Sequence, residues 1–134
     1  MDGPGLRVTS VTITAPDPRG LAAFYARLLG RPVTTEEPPG PGEPATAGWA
    51  QIRAPRGSGE PTLNFEYEAR WTAPTWPSEP GRQHATQHLD IHVADLDAAC
   101  AHAVEAGATL SPHQPQDDVR VLFDPAGHPF CLFT

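Results

Sequence analysis

The sequence predicts an α+β fold built from two tandem βαβββ modules, on three observations. An alternating strand, an aspartate and an Ala-rich helix ending at glycine occur twice. Each copy is followed by further short β-prone stretches. The length, 134 residues, suits one domain with one good core. We place module one at 6–70, a connecting loop at 71–86 and module two at 87–134.

The repeat is explicit. Residues 10–17 read S-V-T-I-T-A-P-D and residues 88–95 read H-L-D-I-H-V-A-D. Asp17 is suited to cap the first helix, with Pro18 at the first helical position, where a missing N–H costs nothing. Leu21, Phe24, Tyr25 and Leu28 then recur at helical spacing, and Gly30 supplies the left-handed stop. Asp95 caps the second helix in the same way. Leu96, Ala99, Cys100, Ala103 and Val104 are expected to face inward, and Gly107 ends it. Short strands are expected at 31–35 and 108–111, then at 49–54 and 62–68 in the first copy and at 118–124 and 129–134 in the second. Pro and Gly concentrate at 32–48 and 72–81, which read as surface loops. Neither half buries enough surface alone, so the halves are expected to pack together.

Period-two alternation sorts the strand faces. Val11 and Ile13 go to the helix side and leave Ser10, Thr12 and Thr14 opposite. Leu89, Ile91 and Val93 leave His88, Asp90 and His92. Leu63, Phe65 and Tyr67 leave Asn64, Glu66 and Glu68. Phe130 and Leu132 are buried, with Cys131 and Phe133 turned away. Trp49, Gln51, Arg53, Val119, Val121 and Phe123 complete the second face. A face that concentrates His, Asp, Glu and Trp reads as a ligand cup rather than a solvated surface.

Composition narrows the function. Sixteen carboxylates stand against nine basic residues, all arginine, for a net charge of −7. An acidic surface without a basic cluster argues against nucleic acid or an anionic membrane as partner. The absence of lysine removes Schiff-base chemistry. No apolar run approaches the roughly 20 residues of a membrane span, and the N-terminus lacks the pattern of a signal peptide. The two cysteines, Cys100 and Cys131, read as buried thiols of a reducing compartment, so a cytoplasmic location is expected.

These residues carry a family resemblance. The ordered set of Asp17-Pro18, Leu21-Ala-Ala-Phe-Tyr25, Leu28-Leu-Gly30, His88-Leu-Asp-Ile-His92, Gly107-Ala108 and Phe123-Asp-Pro-Ala-Gly127-His-Pro-Phe-Cys-Leu-Phe133 resembles the glyoxalase-like branch of the vicinal-oxygen-chelate superfamily, which includes bleomycin resistance proteins. The resemblance spans almost the whole chain and implies a cupped antiparallel sheet and a homodimer. It also implies metal-ligand slots, which here hold Ser10, His88, Glu66 (or Asn64) and Cys131. Only His88 and Glu66 are of the usual ligand type, which leaves room for a divalent metal but not for a complete site, and no cofactor is expected. His92 cannot supply the missing ligand, because it lies roughly 13 Å from His88 along the strand.

The resulting expectation is a small-molecule-binding protein that holds an aromatic or polycyclic ligand. The alternative is an enzyme using acid–base or metal chemistry. Candidate catalytic residues are His88, Glu66, Asp90 and His92, with Asp90 and His92 expected to pair. Candidate ligand contacts are Ser10, Thr12, Trp49, Gln51, Asn64, Trp71, Trp76, Phe123 and Cys131. His102, His113 and His128 are expected in solvent.

Overall fold

The capping and alternation signals resolve into ten elements in the computed structural model, which describes residues 3–134. They are β1 (Ser10–Ala15), α1 (Pro18–Leu29), β2 (Thr35–Glu37), β3 (Trp49–Ile52), β4 (Thr62–Tyr67), β5 (Leu89–His92), α2 (Leu96–Ala106), β6 (Thr109–Leu110), β7 (Val119–Phe123) and β8 (Pro129–Phe133). Asp17 accepts from the Gly20 N–H at 3.1 Å and Asp95 from the Ala98 N–H at 3.0 Å, so both predicted N-caps form. Gly107 donates to the carbonyls of Ala103 and Val104 and closes α2. None of the helices among the described residues is long and apolar enough to cross a membrane.

Two four-stranded sheets result, ordered β1-β4-β3-β2 and β5-β8-β7-β6. Each departs from an all-antiparallel sheet in one pair, since β1 runs parallel to β4 and β5 to β8. The helix crossover carries the chain from the first strand to the far edge. Two antiparallel reversals then return the last strand beside the first. The strand expected at 31–35 begins only at Thr35, inside the first Pro-rich loop. Thr34 N–H already donates to the Gln51 carbonyl at 2.8 Å, but Pro32 has no N–H to offer a ladder.

The chain divides into two compact units, one of residues 1–26 and 31–69, the other of 27–30 and 70–134. In the first, Leu21, Phe24 and Tyr25 of α1 and Ala50, Ile52, Leu63 and Phe65 of the sheet are buried. Tyr25 stacks on Phe65 with ring centroids 5.7 Å apart. In the second, Ala103, Ala106, Leu122, Phe130 and Leu132 are buried. A fully buried Phe such as Phe65 or Phe130 contributes about 1.5–3 kcal/mol by leaving water. Val104 departs from the predicted apolar face of α2 and is 50% exposed, because the small Ala103 and Ala106 make the close approach. The end of α2 is tied down by Arg27, which donates to the Ala106 carbonyl at 2.8 and 3.2 Å.

The Pro-rich loop at 38–48 is anchored from α1. Arg19 donates to the carbonyls of Ala45 and Ala47 at 2.6 and 3.1 Å. Gly48, at φ +104, enters β3 directly beneath this anchor, and a Cβ there would collide with the Glu37 carbonyl and press on Arg19 Nε. Gly48→Ala is therefore expected to lower unfolding free energy by about 1–3 kcal/mol. Urea denaturation followed by circular dichroism measures this, and Gly57→Ala, which has positive φ but open space, should cost less.

Candidate functional site

The second sheet builds a site from its register. Asp90 of β5 pairs with Cys131 of β8, which pairs with Val121 of β7. One row on, His92 pairs with Phe133 and Phe133 with Val119. These positions share one face while Phe130, Leu132 and Leu122 fill the other, so the alternation of module two holds. On the first face lies a cavity of about 450 Å³. His88, Asp90, Cys131, Phe133, Val119 and Val121 form its sheet wall, and Trp76, Pro115, Gln116 and Asp118 complete it from two loops.

Each loop is held in place by hydrogen bonds. Thr75 donates to the Gln83 carbonyl from its N–H at 2.7 Å and from its hydroxyl at 3.0 Å. This closes the connecting loop on itself and fixes Trp76 at the cavity. Gln114 donates to the carbonyls of Ser111 and Val121, both at 2.8 Å, and accepts from the Val121 N–H at 2.9 Å. A single amide thereby substitutes for a strand partner and sets Pro115 and Gln116 against the cavity.

At the floor, His88 Nε2 lies 3.3 Å from Asp90 Oδ1. Cys131 is only 8% exposed, and its thiol is pushed above the usual range. Burial is the main cause, followed by the Asp90 charge and the hydrogen bond the thiol donates to that carboxylate. Trp76 brings its ring centroid within 6.3 Å of His88. Its indole Nε1 is buried and meets no hydrogen-bond acceptor among the described groups. A buried donor left unpaired costs about 1–3 kcal/mol.

Residues 10–133 match the family profile of the glyoxalase-like domain. The chain belongs to this family. Among solved structures it is similar to the glyoxalase family protein from Enterococcus faecalis (TM-score 0.65, 22% identity, covering 96% of this chain and 97% of that one). It is also similar to TnmS3, an antibiotic binding protein from Streptomyces sp. CB03234 (TM-score 0.60, 21% identity, 98% of each chain). A third is a variant of FosX, a fosfomycin resistance protein from Listeria monocytogenes, complexed with Mn(II) and dihydroxypropylphosphonic acid (TM-score 0.65, 12% identity, 98% of this chain and 90% of that one). At such identities the likeness is one of fold. No curated protein matches the sequence.

Several expected site residues of this glyoxalase-like domain fall elsewhere. Asp90 pairs with His88 rather than His92, whose ring instead packs edge-on against Phe133 at 5.3 Å. Both histidines stand two residues from Asp90, and the larger aromatic neighbour captures His92. Trp71 does not line the cavity but lies on His128, centroids 4.9 Å apart. Phe123 does not line it either. His128 is not in solvent: its Nδ1 lies 2.8 Å from the buried Asp124 carboxylate, which also accepts from the N–H groups of Ala126 and His128. His102, though exposed, lies 3.0 Å from the Leu28 carbonyl. Ser10, Thr12, Trp49, Gln51, Asn64 and Glu66 belong to the first unit.

There the register settles the fourth-strand assignment. Thr12 pairs with Asn64 and Asn64 with Gln51, whose amide donates to the Asn64 carbonyl at 2.9 Å. Asn64 is thus the counterpart of Cys131. Glu66 pairs with Thr14 and Trp49 and answers to Phe133.

Two of the expected slot residues, His88 and Cys131, come together in the second unit, where Asp90 joins them. His88, Asp90 and Cys131 each offer a donor, all within 4.8 Å of one another. Donors in a tetrahedral zinc site stand roughly 3.3–3.8 Å apart, so the three side chains would have to close inward to share an ion. An imidazole, a carboxylate and a thiolate suit a borderline ion such as Zn²⁺ better than Mg²⁺ or Mn²⁺. The cavity residues that the sequence missed are Pro115, Gln116 and Asp118, which lie in a loop where alternation assigns no face.

The coupling of Cys131 to Asp90 is testable. Asp90→Asn removes the repulsion that disfavours the thiolate, so the Cys131 thiol should ionise at lower pH. In chelator-treated protein, iodoacetamide should alkylate Cys131 faster in the variant at neutral pH. Peptide mass spectrometry reads the rate, with Cys100 as the internal reference.

Proposed function

We propose that this glyoxalase-like domain binds a small aromatic or polycyclic molecule in the cavity of its second unit. The observation that carries the reading is Trp76, an indole that lines a cavity of about 450 Å³ together with Phe133 and His88. The volume is in the usual range for ligand pockets, and the walls combine apolar and aromatic surface with a few polar groups. TnmS3 is an antibiotic binding protein of the same fold, which supports a binding role without requiring chemistry. The free Cys100 and Cys131 support a reducing, cytoplasmic setting, and the family resemblance supports a homodimer.

A second reading, a divalent-metal or acid–base enzyme, is favoured by the convergence of His88, Asp90 and Cys131. A bound ion would act as a Lewis acid on an oxygen of the substrate. Without one, Asp90 would orient the His88 imidazole for proton transfer. In either case Trp76 and Phe133 would hold an apolar portion of the substrate against the reacting groups.

Binding is tested by titrating a panel of planar aromatic and polycyclic compounds by isothermal calorimetry. Trp76→Ala should weaken binding about tenfold or more, and Trp71→Ala should change it little. Equal losses in the two variants would count against the cavity as the binding site. A stoichiometric metal ion in protein purified without an affinity tag, lost in both His88→Ala and Cys131→Ala, would move the assignment to the second reading.

A further inference from the structure

The charge of the cavity wall narrows the class of ligand. Besides His88, the ionisable side chains on the wall are Asp90, Asp118 and the Cys131 thiol, and no arginine lines it. Asp90 and Asp118 supply the carboxylates of the wall. Arg120 lies between Val119 and Val121 on β7 and so points to the opposite face. There its guanidinium donates to the carbonyls of Gln116, Asp117 and Val119 at 2.9–3.1 Å. In the loop that carries Trp76, Arg82 is paired with Glu79 at 3.6 Å. The cavity therefore presents two carboxylates and aromatic faces, with His88, beside Asp90, as its one basic lining group. A cation placed there gains from Asp90 and Asp118 and from the face of Trp76 or Phe133. The overall charge of −7 draws such a ligand in from solution.

Resting on the binding role proposed above, we infer that the ligand is an aromatic cation, a planar ring system bearing a protonated amine. The amine sits at Asp90 and the rings lie against Trp76 and Phe133, with Asp118 adding negative charge from across the cavity.

Three probes on one tricyclic frame test this with the full chain: cationic proflavine, neutral acridone and anionic acridinecarboxylate. Isothermal calorimetry should give proflavine an affinity about tenfold above that of acridone, with acridinecarboxylate weakest. Raising the salt concentration should narrow the gap. Asp90→Asn and Asp118→Asn should each reduce the proflavine-to-acridone affinity ratio several-fold. Glu105→Gln, at an exposed carboxylate of α2 that does not line the cavity, should leave the ratio unchanged. Both cavity aspartates are exposed, and circular dichroism confirms that the variants fold. Acridone binding as tightly as proflavine, or the anion binding more tightly, overturns the charge assignment and leaves the cavity reading in place. Binding of none of the three by folded protein overturns both.

Discussion

The position of β8 between β5 and β7 is the constraint on which the candidate site depends. Because side chains alternate strictly along a strand, one register fixes both faces at once. Phe130 and Leu132 are buried at 0% and 1% exposure, and that burial commits Cys131 and Phe133 to the cavity. A slip of one residue would expose two large apolar side chains, each worth about 1.5–3 kcal/mol. The core thus holds the thiol between Asp90 and Val121 without any interaction of the thiol itself being needed.

The same register explains how two copies of one unit come to differ in chemistry. The row Thr12–Asn64–Gln51 satisfies itself through an amide–amide hydrogen bond of 2.9 Å. The equivalent row, Asp90–Cys131–Val121, has a carboxylate and a thiol beside an apolar residue. In the first row the polar groups face each other and are quenched. In the second, Asp90 is left to accept from Cys131 and to meet His88, with capacity to spare. Different side chains at equivalent register positions thus leave one face satisfied within itself and the other with polar groups to spare.

What the sequence made legible follows from which features are periodic. The caps at Asp17 and Asp95, the helix stops and the faces of β4, β5 and β8 obey local rules, and each is found as read. The pairing of His88 with Asp90 was not legible, because alternation places His88 and His92 on equal terms and only the cross-strand neighbour Phe133 separates them. Likewise, Glu66 and Asn64 share a face, and only the pairing with β1 decides which of them occupies the slot matching Cys131. Asp118 and Gln116 owe their place to Gln114, a side chain that acts as backbone. Nothing in a polar loop announces that role.

The distribution of arginine gives the acidic cavity a structural cause. Arg19 anchors a loop through two carbonyls, Arg27 caps α2, Arg31 pairs with Glu60, Arg82 with Glu79, and Arg120 holds the turn before β7. In a chain without lysine, these are five of only nine cations, and each is committed to backbone carbonyls or to a carboxylate. A guanidinium suits this work, since its planar fork makes several directed hydrogen bonds at once. The carboxylates outnumber the arginines, and no arginine lines the cavity where Asp90 and Asp118 stand. The binding surface thereby acquires its sign from the way the rest of the fold uses its positive charge.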